Sequence, residues 1–457
     1  MSAMSATALA GRTAPSRPGS IRIPAVVIIL TLVGMFAACL VYVYISWLSP
    51  IYYYLGFPLA PGDHPVLGLS VGILLVSAAL LRREMTRFSD FFLWMVFFFV
   101  LTPALLFIPL QGLLADDGLV TVCCLGLSFN IMALAGNFRV KLPIVRFTTL
   151  RLALVFFVTY AALNAWVLAI YGSSLSLSDF TNVYDQRFRA SDIMSGTLVG
   201  YAVALLSGAY NPFLIAIGLA ERRPACFIVG SLGQVFMYSA FALKSVILSV
   251  VLVPFFYFFL LRRPRITSMR LAVLVVGSCL VPLASIPILA PDGEGLLWIV
   301  TSLIFMRTYG LAGALTGVYA DFFTTHPHTY FSHINFVSAF IPYPYEQSLG
   351  EEVGFSLVGH PLDANANFWA SDGMAAIGSP GIVLMGVLVG AFLLAINSVV
   401  TKRNLRVACT AFIPFIIVVC NTSIFSALFS GGGMLLVLMM YLWQGRRQTD
   451  AVPVPRT

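Results

Sequence analysis

Charge is the scarcest property of this chain. Only 10% of its 457 residues are Asp, Glu, Lys or Arg, while 60% are hydrophobic. A water-soluble domain carries about 25% charged residues, so 18 acids and 26 bases are too few to coat a globular surface of this length. A soluble enzyme is excluded. Lysine occurs three times and never behind a glycine-rich run, which removes a Walker phosphate loop. No HExxH, CxxC pair or Asp-x-Asp is present, so neither a zinc site nor a metal-bound nucleotide sugar is indicated. The seven cysteines all fall in apolar runs, which reads as free packing thiols and not a disulfide framework.

What is present is apolar length. The mean hydropathy is +0.95, and near-spanning apolar runs recur from end to end, the mark of a polytopic helical membrane protein. Residues 1–23 read as a disordered basic tail, followed by a retained first span at 24–46. Further spans are expected at 66–81, 91–110, 118–135, 150–171, 195–219, 225–242, 245–261 and 270–290, then at 374–397, 407–422 and 431–443. The expectation is an all-α protein of about 12 transmembrane helices: nine in residues 24–290 with an outer loop at 172–194, then a large loop at 291–373. Three C-terminal spans in 374–443 and a tail at 444–457 complete it.

Every second connector is basic, which places both termini inside by the positive-inside rule. Residues 296–318 are apolar enough to cross, yet crossing would reverse every later connector. It would also put Arg307 near a helix centre, at about 2.5–3.5 kcal/mol if lipid-exposed. That segment is therefore expected to be amphipathic or re-entrant within the large outer loop. With this topology, 22 of the 26 bases sit inside, so the net charge of +8 is orientation and implies no nucleic acid. Four bases remain on the otherwise acidic outer side: Arg187, Arg189, Lys244 and Arg307. Each alone could pair with a neighbouring acid or snorkel; together they suit an anion, with arginine offering a bidentate fork.

The outer segments hold the remaining chemistry. Tyr184, Asp185, Gln186 and Arg187 lie in the outer loop 172–194, with Tyr201 and the pair Asn211-Pro212 in the sixth span. The pair reads as structural, Asn211 satisfying backbone groups that Pro212 frees. Gly68-Leu69-Ser70-Val71-Gly72 fits a nucleophile elbow but sits inside a span, where small residues let helices approach. The large loop carries Tyr319, Asp321, His326, His333, Glu352, Asn365, Asn367, Trp369 and Asp372. Flat aromatic faces with Asn, Asp and Glu suit sugar rings and paired hydroxyls. An interfacial aromatic belt would explain the rings but not the concentrated His, Asn and acids.

In order, Tyr184-Asp185-Gln186-Arg187, Gly200-Tyr201, Asn211-Pro212, Lys244-Ser245, Arg307, Tyr319, Asp321-Phe322-Phe323 and His326-Pro327 resemble the Wzy-type polymerases of O-antigen and oligosaccharide repeat units. Asn365-Ala366-Asn367-Phe368-Trp369 with Asp372-Gly373 and Gly378-Ser379-Pro380-Gly381 is similar to the stretch leading into their next span. The likeness covers roughly residues 180–385.

The resemblance implies a bacterial inner-membrane enzyme without cofactor, acting on the periplasmic face. It would join undecaprenyl-pyrophosphate-linked oligosaccharides, the growing chain passing to the nonreducing end of a new unit, with a chain-length regulator as partner. Without a metal, cations must stabilise the leaving pyrophosphate; Arg187, Lys244 and Arg307 are expected in this role, with Arg189 secondary. A general base is also needed. Asp321, His326, His333, Glu352 and Asp372 are candidates, Asp372 preferred for its place at a span mouth. Tyr184, Tyr201, Tyr319, His333, Glu352, Asn365, Asn367 and Trp369 are expected to bind sugar. An O-antigen ligase and a lipid flippase are the alternative readings.

Overall fold

The computed structural model describes residues 24–60, 64–114, 117–143, 149–172, 175, 198–289, 293–366 and 368–449. These residues form helices and no strand. Ten helices are long and apolar enough to cross a membrane: α1 Ala25–Leu55, α3 Phe88–Gln111, α4 Gly118–Ala135, α5 Leu150–Tyr171, α6 Val199–Ala220, α7 Pro224–Phe241, α8 Lys244–Leu261, α9 Ser268–Ile288, α10 Leu296–Thr325 and α13 Ser379–Val399. α2 (His64–Leu80), α11 (Leu349–Val358), α12 (Trp369–Ile377), α14 (Leu405–Ala411), α15 (Ile413–Val419) and α16 (Gly433–Thr449) are shorter.

Two expected spans take a different form. The run at 374–397 is divided at Gly378, whose φ of +76 turns the chain between α12 and α13. The run at 407–422 is two seven-residue helices meeting at Phe412, where Pro414 has no N–H to continue the first. The apolar part of the last helix is residues 433–443.

Proline also shapes the longer helices. Wide π turns at Tyr44–Leu48, Phe97–Leu101 and Leu206–Tyr210 each end two residues before Pro50, Pro103 and Pro212. The ring would collide with the carbonyl one turn back, and the wider turn relieves this. In α6 the freed Ser207 carbonyl accepts from Gln234 Nε2 at 2.9 Å. Asn211 does not serve the backbone as expected. Its Oδ1 accepts from Tyr160 OH at 3.0 Å and its amide faces Gln234. Gly68 and Gly72 of α2 are not packing contacts either, since a Cβ at either position would meet open space.

α3 is the central helix; every residue of Phe88–Val96 and Thr102–Gln111 is buried. α5 is its opposite, with Leu150, Leu154, Val155 and Val158 all exposed, the pattern of a helix facing hydrocarbon.

The two ends of the bundle differ. One is basic: Arg82, Arg83, Arg87, Arg262, Arg263, Arg265, Arg403 and Arg406 lie in its connectors, tied by Ser268 N–H to Arg83 O (2.9 Å) and Arg406 to Arg263 O (3.1 Å). At the other end, Gln111 Nε2 donates to both Gly56 O and Ala314 O at 2.7 Å. α10 belongs to that second end. Its first turns reach Tyr52 and Ser285 through Ser302 and Thr301, while Val318 packs beside Gly56. Only its middle goes deeper, where Tyr309 OH meets Ser278 and its ring meets Phe36. Both ends of α10 thus contact the same end of the bundle, although its length would allow a crossing.

Candidate functional site

The end opposite the arginines opens into a cavity of about 510 Å³, built by seven segments. α6 contributes Tyr201 and α10 contributes Tyr319. The loop after α10 gives His333, Asn335 and Phe336, and the entry to α11 gives Ser348 and Gly350. Asp363 and Asn365 come from the following loop, Asp372 from α12, and Ser423, Phe425, Ser426 and Phe429 from the turn after α15. The volume suits a small-molecule ligand. Its base is polar and acidic, and its rim carries exposed Tyr201, Phe336 and Phe429.

Asp372 is placed by a glycine contact. α12 and α13 form a hairpin around Gly378, and Gly373 lies directly on the backbone of Gly381; a Cβ at either would collide with the other. No larger residue allows that approach. Trp369 anchors the same helix, its Nε1 donating to Ser128 Oγ of α4 at 3.0 Å. Asp372 is then fully buried. Its Oδ2 accepts from Ser423 Oγ and from Ile424 N–H, each at 3.0 Å.

Its other oxygen is different. Asp372 Oδ1 faces His333 Nε2 at 3.7 Å, too far for a hydrogen bond. Both atoms are buried, and neither has a hydrogen-bond partner among the described residues. The opposite nitrogen of His333 is engaged, Nδ1 lying 2.7 Å from Thr329 Oγ1.

Five expected residues therefore meet in one cavity: Tyr201, Tyr319, His333, Asn365 and Asp372. Several others do not line it. Trp369 is wholly buried and serves packing. Glu352 accepts from Gln347 N–H at 3.0 Å in the first turn of α11, beside the Ser348–Glu351 capping box. His326 stacks on Phe322 at 3.9 Å, with Nδ1 against the Phe322 carbonyl, and Asp321 is exposed on α10. Tyr345 helps to hold this loop, donating to Pro327 O at 2.5 Å; burial, reinforced by Glu352, pushes its phenol up to about 12.

The two expected cations among the described residues are not in the cavity wall. Lys244 opens α8 and Arg307 lies exposed on the face of α10 that carries Leu303; neither lines the cavity. Tyr184, Arg187, Arg189 and Asn367 lie outside the described residues. An acidic cavity without Lys or Arg in its described lining suits hydroxyl groups far better than a pyrophosphate.

Sequence reasoning missed Asn335, Phe336, Ser348, Asp363 and the turn at 422–430. Asp363 lines the cavity and accepts from Asn365 Nδ2 at 2.6 Å. The connector between the expected spans 407–422 and 431–443 carries no expected site residue, although Asn421-Thr422-Ser423, Ser426 and Ser430-Gly431 mark a polar break in the apolar run there. No protein-family model, curated protein or solved structure matches the chain.

Proposed function

We propose that this protein is a membrane glycosyltransferase that lengthens lipid-pyrophosphate-linked oligosaccharides, a repeat-unit polymerase of the Wzy type. The observation that carries the reading is the cavity at the end away from the arginines, where a buried carboxylate has one oxygen with no hydrogen bond among the described residues, beside sugar-compatible side chains. With the basic end cytoplasmic, that cavity opens to the periplasm. The span count is taken as 12, with α10 entering and leaving on the periplasmic side.

In this reading the nonreducing sugar of the new unit enters the cavity. Asp363, Asn365 and Ser348 take its hydroxyls, and the aromatic rim covers its apolar face. Asp372 accepts the proton of the attacking hydroxyl. That oxygen then bonds to the anomeric carbon of the growing chain, and the carbon–oxygen bond to the pyrophosphate breaks, its electron pair leaving with the lipid carrier. Arg187, Lys244 and Arg307 are assigned to the departing charge, with Arg189 secondary.

The test is reconstitution of the purified protein in vesicles with lipid-linked repeat units alone. Chains longer than one unit support the reading; transfer only when lipid A–core is added means a ligase. Movement of units between leaflets without growth means a flippase. Full-length chains from both Arg187→Ala and Arg307→Ala would remove the assigned cations.

A further inference from the structure

The contact between His333 and Asp372 is unfinished in a specific way. Two buried polar atoms, Nε2 and Oδ1, point at one another across 3.7 Å, and neither has a hydrogen bond among the described residues. Both residues line the cavity. An oxygen at about 2.8 Å from each atom would sit only about 2 Å off the line joining them. One hydroxyl therefore completes both.

The surroundings also choose the proton on the imidazole. A carboxylate facing Nε2 favours the tautomer with hydrogen on that nitrogen. Nδ1 is then a lone pair and must accept. Thr329 Oγ1 stands 2.7 Å from it, closer than the 3.0 Å to Ala375 O, and that carbonyl already accepts the Thr329 N–H at 2.8 Å. The hydroxyl proton therefore goes to Nδ1. Three groups agree on one arrangement: Thr329 donates to Nδ1, Nε2–H faces Asp372, and Asp372 offers an oxygen with no hydrogen bond among the described residues.

We propose that His333 Nε2–H and Asp372 Oδ1 clasp the single sugar hydroxyl that attacks, with Thr329 as the positioning residue that fixes the His333 tautomer. This rests on the reading of the cavity as the acceptor's site. The hydroxyl gives its proton to Asp372 while its oxygen accepts from Nε2–H, which holds it in place and leaves a lone pair free for the anomeric carbon. Ser423 and Ile424 fix the second carboxylate oxygen, so the base cannot turn away. After transfer, the carboxylic acid returns its proton to water.

The experiment uses the full chain, labelled with ¹⁵N-histidine in lipid nanodiscs, with His333 assigned by loss of its signals in His333→Gln. At a pH where His333 is neutral, the proton is expected on Nε2, with Nδ1 a hydrogen-bonded acceptor. Thr329→Val should move the Nδ1 resonance to its unbonded position, and Thr329→Ser should restore it. In the reconstituted assay, His333→Gln, which keeps an N–H donor, should retain turnover within about tenfold, and His333→Leu should lose more than about a hundredfold. A proton on Nδ1 in the wild type, or equal turnover in the Gln and Leu variants, overturns the proposal. If the wild type lengthens no chains, the polymerase reading falls, and the nitrogen shifts still decide the tautomer.

Discussion

Asp90 and Asp372 are both buried carboxylates near the start of a helix, one at each end of the bundle. Asp90 occupies the third position of α3, and its Oδ2 accepts the N–H groups of Thr86 and Arg87 at 2.9 Å each. Around it, Asn397 joins Ser89 and the Gly136 carbonyl at 2.8 Å, and Arg82 Nε reaches Asn137 at 3.0 Å. Asp372 receives two donors on Oδ2 in the same fashion, but its Oδ1 and the facing His333 Nε2 are left bare beside a cavity. An unmade hydrogen bond on a buried polar group costs about 1–3 kcal/mol. At the basic end Asp90 holds the backbone at the start of α3; at the cavity end the Asp372–His333 contact is left open. Both carboxylates take their hydrogen bonds on Oδ2; what separates them is that the second oxygen of Asp372 is buried against His333 Nε2 in residues that line a cavity, a setting Asp90 does not have.

That difference is open to attack by mutation. The largest effect is expected at Asp372→Asn, which keeps size and the Ser423 contact but removes the base; turnover should fall about 10²–10⁴-fold, measured on reconstituted vesicles. Asp90→Asn should leave turnover within about twofold, so a comparable loss in both variants would erase the contrast. Next comes Gly373→Ala, whose methyl collides with Gly381. Overpacking of this kind costs about 1–3 kcal/mol, so thermal unfolding should come earlier, with loss of activity following from displacement of Asp372. Asp90→Ala removes the capping contacts of α3 and should cost about 0.5–2 kcal/mol in the same unfolding measurement. The smallest effect belongs to Trp369→Phe. It loses one hydrogen bond to Ser128, about 0.5–1.5 kcal/mol, and acceptor KM should stay unchanged because the ring does not touch the cavity; a large rise in KM would return Trp369 to sugar binding.

The helical membrane architecture was legible because hydrocarbon burial writes itself into composition and run length. The breaks were less legible. Gly378 sits in an apolar run that reads as one helix, and only the close approach of Gly373 and Gly381 shows why the chain turns there. Pro414 was visible, but the division of α14 from α15 depends on packing around Phe412. At the site, Asp372, His333, Tyr319, Asn365 and Tyr201 stood out as polar or aromatic residues gathered in outer segments. Ile424 could not, because a backbone N–H carries no sequence signal and residue 424 lies 52 positions from its partner; Ser423 stood in a visible polar break, but nothing in the sequence ties it to Asp372. Trp369 misled for the same reason in reverse: its composition suits a sugar, while its neighbours are α4 and Phe368.

The central claim is that the cavity builds glycan chains with Asp372 as base. Purified wild type and Asp372→Asn, reconstituted side by side with lipid-linked repeat units and no other enzyme, test it by the length of the glycans recovered. The account predicts a ladder of multiple units from the wild type and single units from the variant, with both proteins unfolding at similar temperature. A ladder from Asp372→Asn equal to that of the wild type would contradict it.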